Sequence, residues 1–243
     1  MRFLTAATCA LLLILAGGSA ATTEPRIAII IDDLGYRLAA GQRAIRLPGP
    51  VSVAVLPGAP RTEVLARAAY ANGKEVLLHL PLQARPDDPA EEPMRINLDM
   101  NRDEFRDTFD RAFASVPHAV GVNNHRGSLL TRHPGHMQWL MEEIQARDAV
   151  FFVDSFTTHQ SVALQLAGEL GVHARKRDVF LDPDPAPETV AREFKRMKRL
   201  AVKRGSVVVI GHPHAATLDL LERELPKLAD EGFRLVAISE LMQ

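Results

Sequence analysis

The chain has 243 residues, of which 47% are apolar and 24% are charged, and this composition excludes a disordered, collagen-like or disulfide-framework protein. Its 29 Lys and Arg nearly balance its 30 Asp and Glu, so there is no basic field to gather nucleic acid, and no nucleic-acid partner is expected. Aromatic residues make up 5% of the chain, so we expect a mostly polar ligand cleft.

The first 21 residues have the pattern of a secretory signal peptide. Arg2 gives a positive start, residues 4–16 are apolar, and residues 17–21 are small. The alternative is an uncleaved anchor, although the apolar run is short for a membrane span, which needs ~20 residues. We therefore expect export across the inner membrane to the periplasm, with no membrane span after cleavage. The one cysteine, Cys9, lies in this segment, so the remainder offers no thiol nucleophile.

From residue 26 onward, short apolar runs alternate with longer segments of helical periodicity. The runs predict strands at 27–31, 51–55, 75–78, 119–122, 149–153, 206–210 and 234–238, with a further short one at 172–174. The segments predict helices at 61–72, 101–115, 134–147, 158–170, 187–203 and 215–231. Such alternation is typical of βα units, so we expect one domain over residues 26–243 containing a parallel sheet or barrel.

One long irregular segment, residues 84–97, interrupts this alternation. It is rich in proline and acidic residues, and loops of that length are often functional covers. A second charged segment, residues 177–184, either lines the site or is solvated.

Polar side chains follow five of the predicted strands where each strand ends. They lie at Asp32 and Asp33, at His79, at Asn123 to His125, at Asp154 and Ser155, and at His212 and His214. Because the carboxyl ends of parallel strands converge on one face, we expect these side chains to surround one point. A lone His after a strand is more often a capping or packing residue than part of a site. Polar residues at five strand ends together favour a functional site.

The residue types at these strand ends are typical of metal-assisted hydrolysis. One Asp with two His is a common ligand set for catalytic Zn²⁺, which keeps a fourth position open for water. Consecutive side chains near a strand end diverge, so only one of Asp32 and Asp33 is expected to face a metal, leaving the other as a base or an orienting group. The alternative for this pair is capping of a following helix. No Walker loop, G-x-G-x-x-G or G-x-S-x-G follows a strand, so neither a nucleotide cofactor nor a serine nucleophile is expected.

Six short motifs lie in order along the chain. They are IDDLG (31–35), HLPL (79–82), GVNNHRGS (121–128), FVDS (152–155), RDVFLD (177–182) and GHPH (211–214). Together they resemble the divergent polysaccharide deacetylase family, which is related to the polysaccharide deacetylases of carbohydrate esterase family four. The resemblance implies an α/β fold with a distorted parallel (β/α) barrel of seven or eight strands. It also implies a divalent metal, with Zn²⁺ the expected ion, and removal of acetyl groups from sugars.

The resemblance also implies roles for individual residues. In the classical enzymes a Thr-Phe-Asp-Asp segment supplies the base and then a metal ligand, which gives Asp32 as the base and Asp33 as a ligand. Their His-x-x-x-His turn is incomplete here, since no second histidine follows His79, and His125 is the best replacement. The late Leu-x-His motif resembles residues 210–212, which implies His212 as the acid. Substrate contacts are expected from Asn124, Arg126, Asp154 and His214, with Asp154 alternatively orienting His212.

The predicted function is an exported metal-dependent deacetylase whose partner is a carbohydrate substrate of the cell envelope. The alternative is a non-catalytic envelope protein that binds a glycan or a partner protein on the same barrel. Loss of the usual second histidine and the scarcity of aromatic residues favour that alternative, whereas the acids and imidazoles at five strand ends oppose it. A metal phosphoesterase ranks lower, because the sequence shows no second carboxylate-rich metal site.

Overall fold

The computed structural model describes residues 24–89 and 92–242. The predicted signal peptide, residues 1–21, lies outside the described residues. Within the described ranges, no helix has both the length and the apolar character that crossing a bilayer requires.

Strands and helices alternate along the described chain. The strands are β1 (Arg26–Leu34), β2 (Ser52–Val55), β3 (Val76–Leu82), β4 (Ala119–Arg126), β5 (Phe151–Asp154), β6 (Ala174–Lys176), β7 (Val179–Phe180), β8 (Ser206–Gly211) and β9 (Arg234–Val236). The α-helices are α1 (Leu38–Ile45), α2 (Thr62–Ala71), α3 (Arg102–Ser115), α4 (Pro134–Gln145), α5 (Ala163–Glu169), α6 (Pro187–Arg204) and α7 (Ala215–Glu224).

The strands form one curled parallel sheet in the order β6-β5-β4-β3-β2-β1-β8-β7, with β9 also paired to the start of β1. The predicted parallel (β/α) barrel is therefore confirmed. The continuous path of the sheet has eight strands, within the predicted seven or eight, and β9 lies off this path. Strand β7 was not expected individually, because its two residues are too short a run to produce a recognisable pattern.

Strand β1 is apolar on both sides because both sides are covered. Ile27, Ile29 and Ile31 join the large apolar cluster between the sheet and the helices, whereas Ala28 and Ile30 join a smaller cluster inside the curled sheet. All five are fully buried. A parallel strand with helices on one face and the barrel interior on the other has no solvated side, which explains the unbroken run of apolar residues.

Three helices differ from the sequence-based expectation. Helix α1 was not expected, and it begins after Arg37, so the alternative of helix capping by Asp32 and Asp33 is wrong. The helix predicted at 158–170 begins only at Ala163. The helix predicted at 215–231 ends at Glu224 and continues as a short 3-10 turn, because Pro226 has no N–H to extend the α-helix.

Candidate active site

The carboxyl ends of β1, β3, β4 and β8 bring the expected polar residues to one face. His79 pairs in register with Asn123 across β3 and β4, and Ile31 pairs with Gly211 across β1 and β8. The register between β1 and β2 shifts after Ile31, and Asp33 has a φ of 60°, in the left-handed region. With this irregularity, Asp33 rather than Asp32 joins His79 and His125 in a group able to hold a metal, in line with the expectation that only one of the two carboxylates would face that point.

Three side chains from three strand ends each bring one donor atom to this point. Asp33 Oδ1 lies 3.1 Å from His79 Nε2 and 3.0 Å from His125 Nδ1, and the two nitrogens are 3.2 Å apart. A tetrahedral ion with ligand bonds of ~2.0–2.2 Å needs donor atoms about 3.3–3.6 Å apart, slightly wider than this triangle. We call these three residues the tripod.

The electrostatics of the tripod fit a cation. Asp33 Oδ1 is buried, yet no N–H of the described chain is aligned to donate to it. Burial alone would raise the pKa of Asp33, but His125 and His79 hold it far below its ordinary value. Burial alone would lower the pKa of His125, but Asp33 and Glu92 raise it to about 9. A buried oxygen without a donor is satisfied by a bound cation, so this donor set suits a divalent metal.

Asp32 lies behind the tripod, fully buried beside His79. Its Oδ2 is 3.7 Å from His79 Nε2, and its Oδ1 accepts a hydrogen bond of 2.8 Å from Asn123 Nδ2. Asn123 Oδ1 in turn accepts from His79 Nδ1 at 2.9 Å. Burial raises the pKa of Asp32 above its ordinary value, despite opposing effects of His79 and His212. A carboxylate with a raised pKa is a better general base at neutral pH.

His212 faces the tripod from the end of β8, with Nε2 3.8 Å from Asp33 Oδ2. Its other nitrogen, Nδ1, donates to Asp182 Oδ1 at 2.9 Å. Asp182 Oδ2 also accepts from the His212 backbone N–H and from Thr217 Oγ1, both at 2.7 Å. Asp182, rather than Asp154, is therefore the carboxylate that orients His212. Burial alone would lower the pKa of His212, but Asp182 and the two carboxylates of β1 raise it.

Asn124 and Asp154 lie beneath this face rather than on it. Asn124 Nδ2 donates to the backbone carbonyl of Arg126, and its Oδ1 accepts from the backbone N–H of Ser155, both at 2.8 Å. Asp154 accepts from Ser161 Oγ and from a backbone N–H, both at 2.7 Å. Both residues are buried and support the loop after β5, so their contact with substrate stays a prediction.

Arg126 and His214 lie nearer the rim. Arg126 bonds to Asp88 at 3.1 Å and approaches Glu92 at 3.7 Å, so it holds part of the 84–97 segment. His214 precedes α7, with its ring 5.8 Å from that of His212. With Asp182, these two histidines form a second group of side chains able to hold a metal.

Part of the 84–97 segment covers the site, as its length suggested. Glu92 Oε1 lies 3.0 Å from His125 Nε2, on the side of the ring away from the tripod. A cavity of about 300 Å³ opens between this segment and the loops after β1 and β2, lined in part by Asp33, Tyr36, Arg37, Pro57, Glu92 and Pro93. Glu92 was not singled out from the sequence, and Asn123 was expected only as one of the polar residues at the end of β4, without a role of its own.

The protein is a parallel α/β barrel with an acid and two imidazoles at its strand ends, and sequence comparison identifies the family. Residues 29–242 match the family described as divergent polysaccharide deacetylase. The chain is 36% identical over 217 residues to the uncharacterized protein YibQ of Escherichia coli (strain K12), covering 89% of this chain and 67% of that protein. This protein belongs to the divergent polysaccharide deacetylase family.

Solved structures share the fold. The uncharacterized protein ATU2773 from Agrobacterium tumefaciens C58 superposes with a TM-score of 0.85 at 21% identity, covering 91% of each chain. BA3943 of Bacillus anthracis, described as a CE4 family pseudoenzyme, superposes with a TM-score of 0.54 at 14% identity, covering 90% of this chain and 66% of that one. The second likeness shows that the barrel alone does not decide activity.

Proposed function

We propose that this protein is an exported, metal-dependent deacetylase that hydrolyses acetyl groups on an amino sugar or polysaccharide of the cell envelope. The observation that carries the proposal is the tripod of Asp33, His79 and His125, with Asp32 and His212 beside it. Export to the periplasm is proposed from the signal-peptide pattern of residues 1–21.

The tripod would hold a divalent cation, and the mixed nitrogen and oxygen donors favour Zn²⁺. When bound there, such a cation supplies a Lewis acid for the acyl carbonyl and lowers the pKa of water toward ~7. Both histidines bind only in the neutral form, so binding releases the proton that Asp33 and Glu92 stabilise on His125.

Asp32 and His212 divide the proton transfers between them. Asp32 accepts the proton of the attacking water, for which its raised pKa suits it. His212 keeps its own proton to higher pH because Asp182 raises its pKa, and it donates from Nε2 to the leaving amine or alcohol. The two carboxylates of β1 therefore have separate roles, one for metal and one for protons.

The second candidate is an envelope protein that binds glycan without catalysis. It is favoured by the likeness in fold to a protein described as a pseudoenzyme. It is opposed by the pairing of His212 with Asp182, because a binding site needs no oriented imidazole beside a buried carboxylate.

The test is release of acetate. The purified protein is incubated with N-acetylated and O-acetylated glucosamine oligomers and envelope polysaccharide, with and without prior chelation. We expect acetate from at least one substrate, abolished by chelation and restored by Zn²⁺. Glycan binding that survives chelation, with no acetate from any substrate, would contradict the proposal and support the second candidate.

A further inference from the structure

The two imidazoles of the tripod present different ring nitrogens to the shared point. His79 faces it with Nε2 and His125 with Nδ1. In each ring the opposite nitrogen meets an acceptor, which is Asn123 Oδ1 for His79 and Glu92 Oε1 for His125, at 2.9 and 3.0 Å. A ring nitrogen that donates its hydrogen leaves the lone pair of the other nitrogen free for a metal. The acceptor therefore selects the nitrogen that becomes the ligand.

The acceptor for His125 comes from outside the sheet. Asn123 lies on β4, whereas Glu92 belongs to the irregular segment that crosses the site. Arg126, next to His125 on β4, approaches Glu92 with Nη1 and bonds to Asp88 with Nη2. The Asp88 side chain is fully buried, so Arg126 anchors this segment to the strand that carries the ligand.

Glu92 has a cationic neighbour besides the imidazole, because Arg126 Nη1 lies 3.7 Å from the same Oε1 that contacts His125. A carboxylate acceptor makes a stronger hydrogen bond to imidazole than a neutral acceptor does, and it increases the basicity of the nitrogen across the ring.

We propose that Glu92 is a positioning residue for metal binding, because its carboxylate accepts the Nε2 hydrogen of His125 and so directs Nδ1 toward Asp33 and His79. The inference rests on the metal site of the proposed function. It assigns to the covering segment a part in building the site, beyond closing it.

The test measures the affinity of the purified protein for Zn²⁺ by competition with a chromophoric chelator. Variants Glu92→Ala, Glu92→Gln and His125→Ala are compared with Asp87→Asn, which removes an exposed carboxylate from the same segment. We expect Glu92→Ala to weaken binding about 10–100-fold, as loss of an acceptor behind a ligand does. Glu92→Gln keeps an oxygen acceptor and should lie nearer the wild type, and Asp87→Asn should not change the affinity.

Two further readouts separate positioning from folding. The unfolding temperature of the metal-free variants should match that of the wild type, while the visible spectrum of bound Co²⁺ should change in Glu92→Ala. Native affinity in Glu92→Ala together with weak binding in His125→Ala would overturn this inference alone. Equal losses in Glu92→Gln and Glu92→Ala would show that an oxygen acceptor at this position does not sustain binding, and would overturn it too. A wild-type protein that takes up no metal would overturn both this inference and the proposed function.

Discussion

Asp32 and Asp33 are neighbours in sequence, yet the structure moves their pKa values in opposite directions. Burial dominates at Asp32 and raises its pKa, whereas the two imidazoles of the tripod outweigh burial at Asp33 and lower its pKa. Two carboxyl groups whose pKa values are pushed apart are suited to different roles in one reaction. This difference supports the proposed assignment of Asp32 as base and Asp33 as ligand.

Replacing Asp32 by Asn separates these two roles. The amide keeps the shape of the side chain but cannot accept a proton from water, so kcat should fall by about 10²–10⁴-fold. Because Asp32 is outside the tripod, the metal content measured by elemental analysis should stay at the wild-type level. Normal turnover in Asp32→Asn would contradict the base role.

Replacing Asp182 by Asn tests whether the carboxylate of Asp182 raises the pKa of His212. Asp182 raises that pKa, and the acid is lost as pH rises through it. The neutral amide removes the charge, so the pKa of His212 should fall and the alkaline limb of the profile of kcat against pH should move to lower pH. An alkaline limb at the wild-type position would show that another group titrates there.

At the residue scale, the sequence predicted the site residues that lie at the ends of recognisable strands. It missed the site residue that lies in a long loop. Asp33, His79 and His125 each follow or end a recognisable strand, and the structure brings them together. Asp182 follows β7, and recognising that two-residue strand would have pointed to it by the same rule. Glu92 carries no such signal, because it lies in a segment without periodicity, 33 positions from the histidine it contacts.

At the element scale, the close approach of β4 and β5 depends on a residue without a side chain. A Cβ at Gly121 would overlap the ring of Phe151, which is buried inside the curled sheet. The pairing of these strands sets the height of Asn123 relative to Val153, and so the position of the β4 end that carries His125.

The variant Gly121→Ala should therefore destabilise the protein. Overpacking of this kind costs about 1–3 kcal/mol, measured as the free energy of unfolding in denaturant. Gly168→Ala is the matched control, because a Cβ there meets nothing within 4 Å in helix α5. It should be neutral or stabilise by up to about 1 kcal/mol. Equal effects of the two variants would contradict the packing argument.

Elements with a long, regular pattern were predicted best. Helices α2, α3, α4 and α6 lie close to their predicted bounds, and Asn101 caps α3 with Glu104 in a capping box. Helix α1 has only eight residues and contains a glycine at position 41, which has low helix propensity, so the segment is too short to be recognised as a helix. That glycine fits against Leu65 of α2, a contact that propensity does not predict.

At the scale of the whole molecule, the parallel arrangement of the strands explains why the candidate site residues lie together on one face of the sheet. Because every strand pair is parallel, the carboxyl ends lie on one face, and residues distant in sequence meet there. The family and the fold follow from the chain as a whole. Activity does not, because the same barrel occurs in a protein described as a pseudoenzyme.

The most direct test of the account is the metal content of the purified protein, measured by elemental analysis before and after chelation, beside the variant His79→Ala. The tripod predicts about one equivalent of zinc or another divalent transition metal, removed by chelation and lost from His79→Ala. A wild-type protein that holds no metal and takes up none on addition, or a His79→Ala variant that retains full occupancy, would contradict it.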